Sequence, residues 1–508
     1  MNGGSGSTAQ DPWHQLGFYF QDDYKVTSRL TLNLGLRWDS NINFLVPQLG
    51  SGLTSTNRTV NAMREIIAAN PTGAGTAEAL ARAQLLAGND DLLKKNTADW
   101  KEFQPRLGFA YDPTGSGKMV IRGGYGIARD TIFQNLTLFG VQQTQPTIYQ
   151  TIIDLTASNA PGTGVCTGPL CTYRFGTDPL PAPAAGINDL APGAVGRMVD
   201  PRVTDPWSQQ MSIGAERQFG DNYSFSADFY HVLGTKEPRV LNMNPKLTSC
   251  NPAFPGSNPT DARCVAGANT RLLDPGFVAA GLGAGRLAQI YDYATTNRSR
   301  YDGLNLQLKR RMSRNVQFQA SYVLSWSNSW GGRPTSSYSG SGIAVTPELQ
   351  FRPDQYGPTT FDERHRLTLS GVIELPHGFE LAPLVQVASA RPFDHLAGAD
   401  VDGDGRTTID RICADGSTTL GCEMVKPNSV RGMPFFQADL RTAKVINLSE
   451  RAKLRLIWEF YNLTNRQNFC NNYGNDFTKT NPQGYCGGQG GPAFTGPFRS
   501  QYGLRFEF

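Results

Sequence analysis

The 508-residue chain carries 47 basic against 43 acidic residues, a formal net charge of +4, with 55 Gly, 32 Pro, 8 Cys and a mean hydropathy of −0.37. This balance gives no reason to propose nucleic acid as a partner, and no run of eighteen apolar residues supplies a transmembrane helix. Low mean hydropathy still leaves a membrane barrel open, because only alternate residues of its strands face lipid.

Residues 1–12 are Gly/Ser-rich and lack the basic and apolar regions of a signal peptide. Leu16, Phe18 and Phe20 then alternate with Gln15, Tyr19 and Gln21. After a turn at residues 25–29, Leu30, Leu32, Leu34, Leu36 and Trp38 alternate with Thr31, Asn33, Gly35, Arg37 and Asp39. Successive strand side chains point to opposite faces, so this hairpin has one apolar and one polar side. Residues 40–102 form a long connection in which the Ala/Leu-rich stretch 77–86 predicts a helix.

A second hairpin pairs Leu107, Phe109 and Tyr111 with Met119, Ile121, Tyr125 and Ile127 across residues 113–118. Its Gly115-Ser116-Gly117-Lys118 invites a phosphate-loop reading, but Asp112 stands where that motif needs Gly and Met119 where it needs Ser or Thr. A Gly-rich turn is the better account. Residues 130–206 read as irregular. Trp207, Met211 and Ile213 then turn at 220–222 into Tyr223, Phe225, Ala227, Phe229 and Leu233, and residues 234–300 read as loop. Three more hairpins lie over 304–326, 367–387 and 436–460. In a thirteenth strand Phe498, Tyr502, Leu504, Phe506 and Phe508 share one parity, opposite Arg499, Gln501, Gly503, Arg505 and Glu507.

Turns therefore alternate between a few residues and several tens, placing all short turns at one end of the strands and all long loops at the other. Outer-membrane barrels have that asymmetry, with short periplasmic turns and long extracellular loops. Trp13, Trp38, Trp207, Tyr301 and Trp326 fall at the long-loop ends and Tyr24 beside a short turn, as interfacial aromatic girdles do. The fold expected is an all-β, antiparallel transmembrane β-barrel of about 13 strands. Arg37, Asp39, Lys309, Glu374, Arg455 and Glu459 take the inner parity and line a wet lumen.

The cysteines fall into local pairs, Cys166 with Cys171, Cys250 with Cys264, Cys413 with Cys422, and Cys470 with Cys486. Eight cysteines allow 105 connectivities, but each pair sits inside one loop. A bridge there would pin its loop by roughly 3 kcal/mol and imply an oxidising compartment. Zinc is disfavoured for want of a second ligand pair at finger spacing. Asp400, Asp402 and Asp404 before Gly405 give the hard oxygens and sharp turn of a calcium loop; its twelfth position is Arg411, with Asp410 one place early. Calcium in an outer loop competes with a solvated acidic turn. His14, His231, His365, His377 and His395 show no metal or triad spacing, and no catalytic constellation is found, so the chain is read as not an enzyme.

Several stretches together resemble the C-terminal barrel of TonB-dependent receptors of the Oar-like group. They are Leu16 to Thr27, Leu30 to Arg37, Pro105 to Asp112, Tyr301-Asp302-Gly303-Leu304, Asp362 to Leu367, and Phe460-Tyr461-Asn462-Leu463-Thr464-Asn465. Gln501, Gly503, Phe506 and Phe508 resemble the terminal signal read by barrel-assembly machinery. The resemblance implies bacterial outer-membrane localisation, lipid as surroundings and gated uptake of a bulky substrate through a plugged barrel of about 22 strands. It also implies an energising TonB complex, acting only through a plug region not found in these residues. The expected organisation is a flexible start over 1–12 within an extracellular loop and barrel over 13–508, a fragment lacking plug and first strands. A structural or adhesive barrel displaying disulfide-pinned loops is the alternative. Asp/Gly-rich loops like 400–410 recur in that group.

Overall fold

The computed structural model describes residues 2–3, 14–42, 57–88, 100–131, 149–150, 177, 190, 192–200, 202–331, 346–403, 410–468 and 496–508. Its main sheet is an antiparallel meander of thirteen long strands in chain order. They are β1 His14–Thr27, β2 Leu30–Ile42, β3 Phe103–Tyr111, β4 Met119–Arg129, β5 Trp207–Phe219, β6 Tyr223–Asn242 and β7 Leu287–Ser313. Then come β8 Val316–Trp330, β9 His365–Leu375, β10 Phe379–Ala388, β11 Phe435–Asn447, β12 Lys453–Tyr461 and β13 Arg499–Glu507. Among the described residues β1 and β13 each have one strand neighbour, so the sheet is curved but open.

Register confirms the expected faces row by row. Ile213 on β5 lies opposite Gly123 and Phe229, and Phe229 opposite Leu304, whose partner on β8 is Leu324. These side chains have no protein over them: Phe18, Phe20, Ile213, Tyr502 and Leu504 are all more than half exposed. An apolar face that wide is not left to water; it is the lipid-facing side.

Short turns close one end of the sheet by their own chemistry. The Asp112 carboxylate accepts from Thr114, Gly115 and Gly117 backbone N–H groups at 3.0, 2.9 and 2.7 Å. A side-chain anion thus fills the nest that a phosphate loop would offer, and the Gly117 bond holds its acid below the usual carboxylate range. Asn222, in the β5–β6 turn, donates to Ser313 Oγ at 3.1 Å and ties it to the β7–β8 turn.

At the opposite end the structure corrects the sequence reading. Residues 234–300 are not all loop: β6 runs on to Asn242 and β7 begins at Leu287, and Ala194–Val199 pairs parallel with β7 inside the stretch read as irregular. The helix expected at 77–86 is α2, Ala77–Gly88, but α1, Arg58–Ala69, precedes it and a short α3 spans Asp274–Ala279. Asn57 caps α1 by accepting from Thr59 N at 2.8 Å, and Asn70 ends it in the left-handed region at φ 40°. Val60, Met63 and Ile66 of α1, Ala83 and Leu86 of α2 and Phe277 of α3 form one buried cluster with Met198, Leu241, Leu287 and Ile290. Gly276 admits Ile66 of α1 so closely that a Cβ would lie 2.8 Å from its Cγ2. The molecule therefore carries a folded surface module with a dry core on its longest hairpin. At the start of the chain, Asn2–Gly3 pairs with Tyr149–Gln150; residues 4–13, Trp13 included, lie outside the described residues.

Tyr301 is the second correction. It takes the inner parity, not the girdle, and its ring covers Gly303, where a Cβ would fall 2.6 Å from the Tyr301 hydroxyl. The outward side at that height instead holds Asp302, whose carboxylate meets His231 Nδ1 and Arg300 Nε, each at 2.6 Å.

Candidate functional site

Two regions could carry function: the polar inner face of the sheet and the surface loops above it. Inner-parity positions hold ion pairs in succession around the curve. Arg37 bonds Asp39 at 2.7 Å, and Gln104 donates to the same carboxylate. Arg122 bridges Asp228 at 3.0 Å and Glu216 at 3.8 Å. Arg441 lies 3.8 Å from Glu459, and Arg455 lies between Glu380 and Glu507. Lys309 and Glu374 share this face. Both signs alternate, so the wall is hydrophilic without a single-sign field.

Above it two disulfide-bonded loops meet. Cys250 is bonded to Cys264 and Cys413 to Cys422. A Cβ on Gly421 would touch Phe254 and Pro255, and one on Gly403 would touch Thr248, so the loops pack backbone against side chain. Cys166, Cys171, Cys470 and Cys486 lie outside the described residues. Asp261 sits beside Arg263 at 3.0 Å and is held below the usual carboxylate range by it.

Asp400, Asp402 and Asp410 converge in the second loop, with one carboxylate oxygen of each within 4.8 Å of the others; Asp404 lies outside the described residues. Asp410 accepts from Val401 N at 2.5 Å and Asp402 N at 3.0 Å. Burial first, then the Asp402 charge, pushes its acid up to about 7. Arg411, at the twelfth position of the motif, turns away and donates to the Val425 and Asp354 carbonyls at 2.8 and 3.0 Å. The donors are hard oxygens of the kind calcium takes, though three carboxylates fall short of its usual six to eight ligand atoms.

Of the histidines, His231 pairs with Asp302 and His365 Nδ1 lies 2.8 Å from the Tyr322 hydroxyl, both on the lipid-facing side near the loop end. Sequence reasoning placed His231 there but missed Asp302, whose outward parity was its signal. At the terminus Phe506 faces outward against Leu454 while Gln501 and Gly503 face inward against Glu459 and Ile457, and Phe508 is 97% exposed.

The family model described as outer membrane beta barrel domain matches residues 2–499. No curated protein matches the chain. Similar solved structures include the outer membrane transporter YddB from Escherichia coli, with TM-score 0.50 at 10% identity over 97% of this chain and 45% of that one. The FrpB iron transporter from Neisseria meningitidis gives 0.44 at 9% identity over 97% and 45%. A mutant of the ferric enterobactin receptor PfeA from Pseudomonas aeruginosa gives 0.45 at 11% identity over 97% and 45%. The chain thus spans less than half the length of these proteins, and the likeness to YddB is one of fold.

Proposed function

We propose that this chain, which belongs to the outer membrane beta barrel domain family, is the barrel of a TonB-dependent transporter that admits a bulky polar solute across the bacterial outer membrane. The observation that carries this reading is the pairing of an apolar outer face with an inner wall of alternating ion pairs. Such a sheet separates lipid from a hydrated path. Family membership and the fold shared with an outer membrane transporter support it. On this reading the chain binds and passes its solute without catalysis. The barrel-assembly machinery reads Gln501, Gly503, Phe506 and Phe508, and the energising complex acts through a plug. Calcium held by Asp400, Asp402 and Asp410 stiffens the outer loop.

The test compares cells with and without the gene encoding this chain, fed a labelled mixture of iron chelates, oligosaccharides and peptides, with and without an uncoupler. Depletion of at least one solute only in energised, gene-bearing cells is expected. A chain that reaches the outer membrane yet depletes nothing sinks transport. That outcome would favour a display barrel, to which the surface module with its buried core and the two disulfide-bonded loops are the structural argument.

A further inference from the structure

At the periplasmic edge of the lipid-facing side stand three cations, each laid over an aromatic ring. Arg217 lies 5.3 Å from the centroid of Phe219, Arg310 5.5 Å from that of Tyr223, and Lys444 4.3 Å from that of Phe379. Phe219 and Tyr223 are themselves directly opposed across β5 and β6, so the first two cation–ring pairs are neighbours on the sheet and their rings form one floor. Among the described residues neither has a carboxylate partner. On this face the neighbouring outward positions are Met119, Ile213, Ala215, Phe225, Leu308 and Phe318, all uncharged. The nearby acids Glu216 and Asp221 line a cavity of 320 Å³ with Lys118, Met119, Arg311 and the Tyr223 of that floor. Arg310 donates through Nη2 to the Ser313 carbonyl at 2.9 Å, while its Nε is buried without a hydrogen-bond partner.

We infer that Arg217, Arg310 and the Phe219–Tyr223 floor form a seat for the phosphate of an anionic phospholipid in the inner leaflet of the outer membrane. A guanidinium with unused N–H groups at the boundary of hydrocarbon needs an anion, and the anion found at that depth is a lipid phosphate. The rings hold the cations in place at the headgroup level. Lys444 on Phe379 repeats the arrangement four strands on as a single cation. This inference rests on the membrane orientation of the proposed transporter, with short turns in the periplasm.

Native mass spectrometry of the full chain extracted from outer membranes reads it, with phosphatidylglycerol, phosphatidylcholine and inorganic phosphate as probes. Phosphatidylglycerol should be retained in preference to phosphatidylcholine, and the Arg217→Gln, Arg310→Gln double variant should lose roughly thirtyfold in that affinity, from two basic residues near the membrane surface. The Lys–Lys double variant should keep most of it. Equal retention by wild type and the Gln–Gln variant overturns the site, and displacement of the lipid by millimolar phosphate overturns the lipid as its occupant. Heat-modifiable mobility shows whether each variant is a folded barrel. Failure to fractionate with the outer membrane would sink the transporter reading itself, separately from the lipid seat.

Discussion

Replacing Ile213 with Arg puts the lipid-facing claim at direct risk. Ile213 is 57% exposed and sits six residues up β5 from Phe219, in the row shared by Phe229, Leu304 and Leu324. With a rise of about 3.4 Å per residue and a tilt of about 40°, that is about 16 Å above the periplasmic aromatic row and about 5 Å below the His231 row, in the upper part of the apolar band. An Arg at that depth, between the midplane cost of about 2–4 kcal/mol and the interfacial one of about 0–1, costs about 1–2 kcal/mol, or roughly 5- to 30-fold in the folding equilibrium. Were the same face covered by water, a half-exposed Ile changed to Arg would cost within about 0.5 kcal/mol. Ser212→Arg, one residue away on the inner parity, is the control and should cost little. Guanidinium unfolding of the full chain inserted in phospholipid vesicles, followed by tryptophan fluorescence, measures both. If the two variants unfold within about 0.5 kcal/mol of each other, the assignment of faces is wrong.

Phe277→Ala should destabilise the surface module by about 3–5 kcal/mol, because the ring is wholly buried among α1, α2 and the β7 extension. Hydrogen exchange should accelerate over residues 58–88 and leave β8 to β12 unchanged. Replacing Cys413 and Cys422 together with Ser removes a closed loop with a sequence separation of 9 and should cost that loop roughly 2–3 kcal/mol; proteolysis on intact cells should then cut it sooner, with barrel mobility in electrophoresis unaltered. Asp410 gives a pH signature. Its folded acid lies at about 7, above the unfolded value, so the folded loop binds the extra proton and loses stability as pH rises from about 4 to 7. Above that window the full penalty stands, and calcium, if it binds, should restore protection. The Asp410→Asn variant should be flat with pH, and a wild-type loop equally protected at pH 5 and pH 8 without calcium would refute the account.

Strands were legible wherever lipid covers one side and water the other, since that asymmetry writes a period of two. Leu30 to Trp38 is such a case, and β2 forms where the alternation lies. The extension of β7 was not legible, for a physical reason. Leu287, Ile290, Tyr291, Tyr293 and Ala294 are all buried, as are the adjacent Val240 and Leu241 of β6. Protein covers both faces there, and alternation disappears. The first helix did carry a signal, Val60, Met63, Ile66 and Ile67 at helical spacing, hidden inside a stretch whose length suggested loop. The acidic triad was visible as a motif, but the turning away of Arg411 depends on Val425 and Asp354, remote in sequence.

The point at which alternation stops is itself informative. On β6 the apolar outward run is first broken at His231 and on β7 at Asp302, and these two residues meet each other and Arg300. Arg364 lies over Trp326 at 4.8 Å on the adjoining strand pair. Charges exposed on that side are tolerated only where headgroups and water begin. Eight residues below His231, Tyr223 and Arg310 mark the other boundary. At a tilted strand rise of about 2.6 Å per residue, the interval spans about 21 Å, which matches one hydrocarbon band and leaves the upper ten or so residues of β6 outside it. The long hairpin therefore does two jobs in one continuous ladder: below the His231–Asp302 pair it is wall, and above it is the scaffold on which α1, α2 and α3 find a core. A strand that leaves the bilayer without ending no longer has lipid against its outer face, and the buried cluster around Leu241 and Ile290 covers it there with protein.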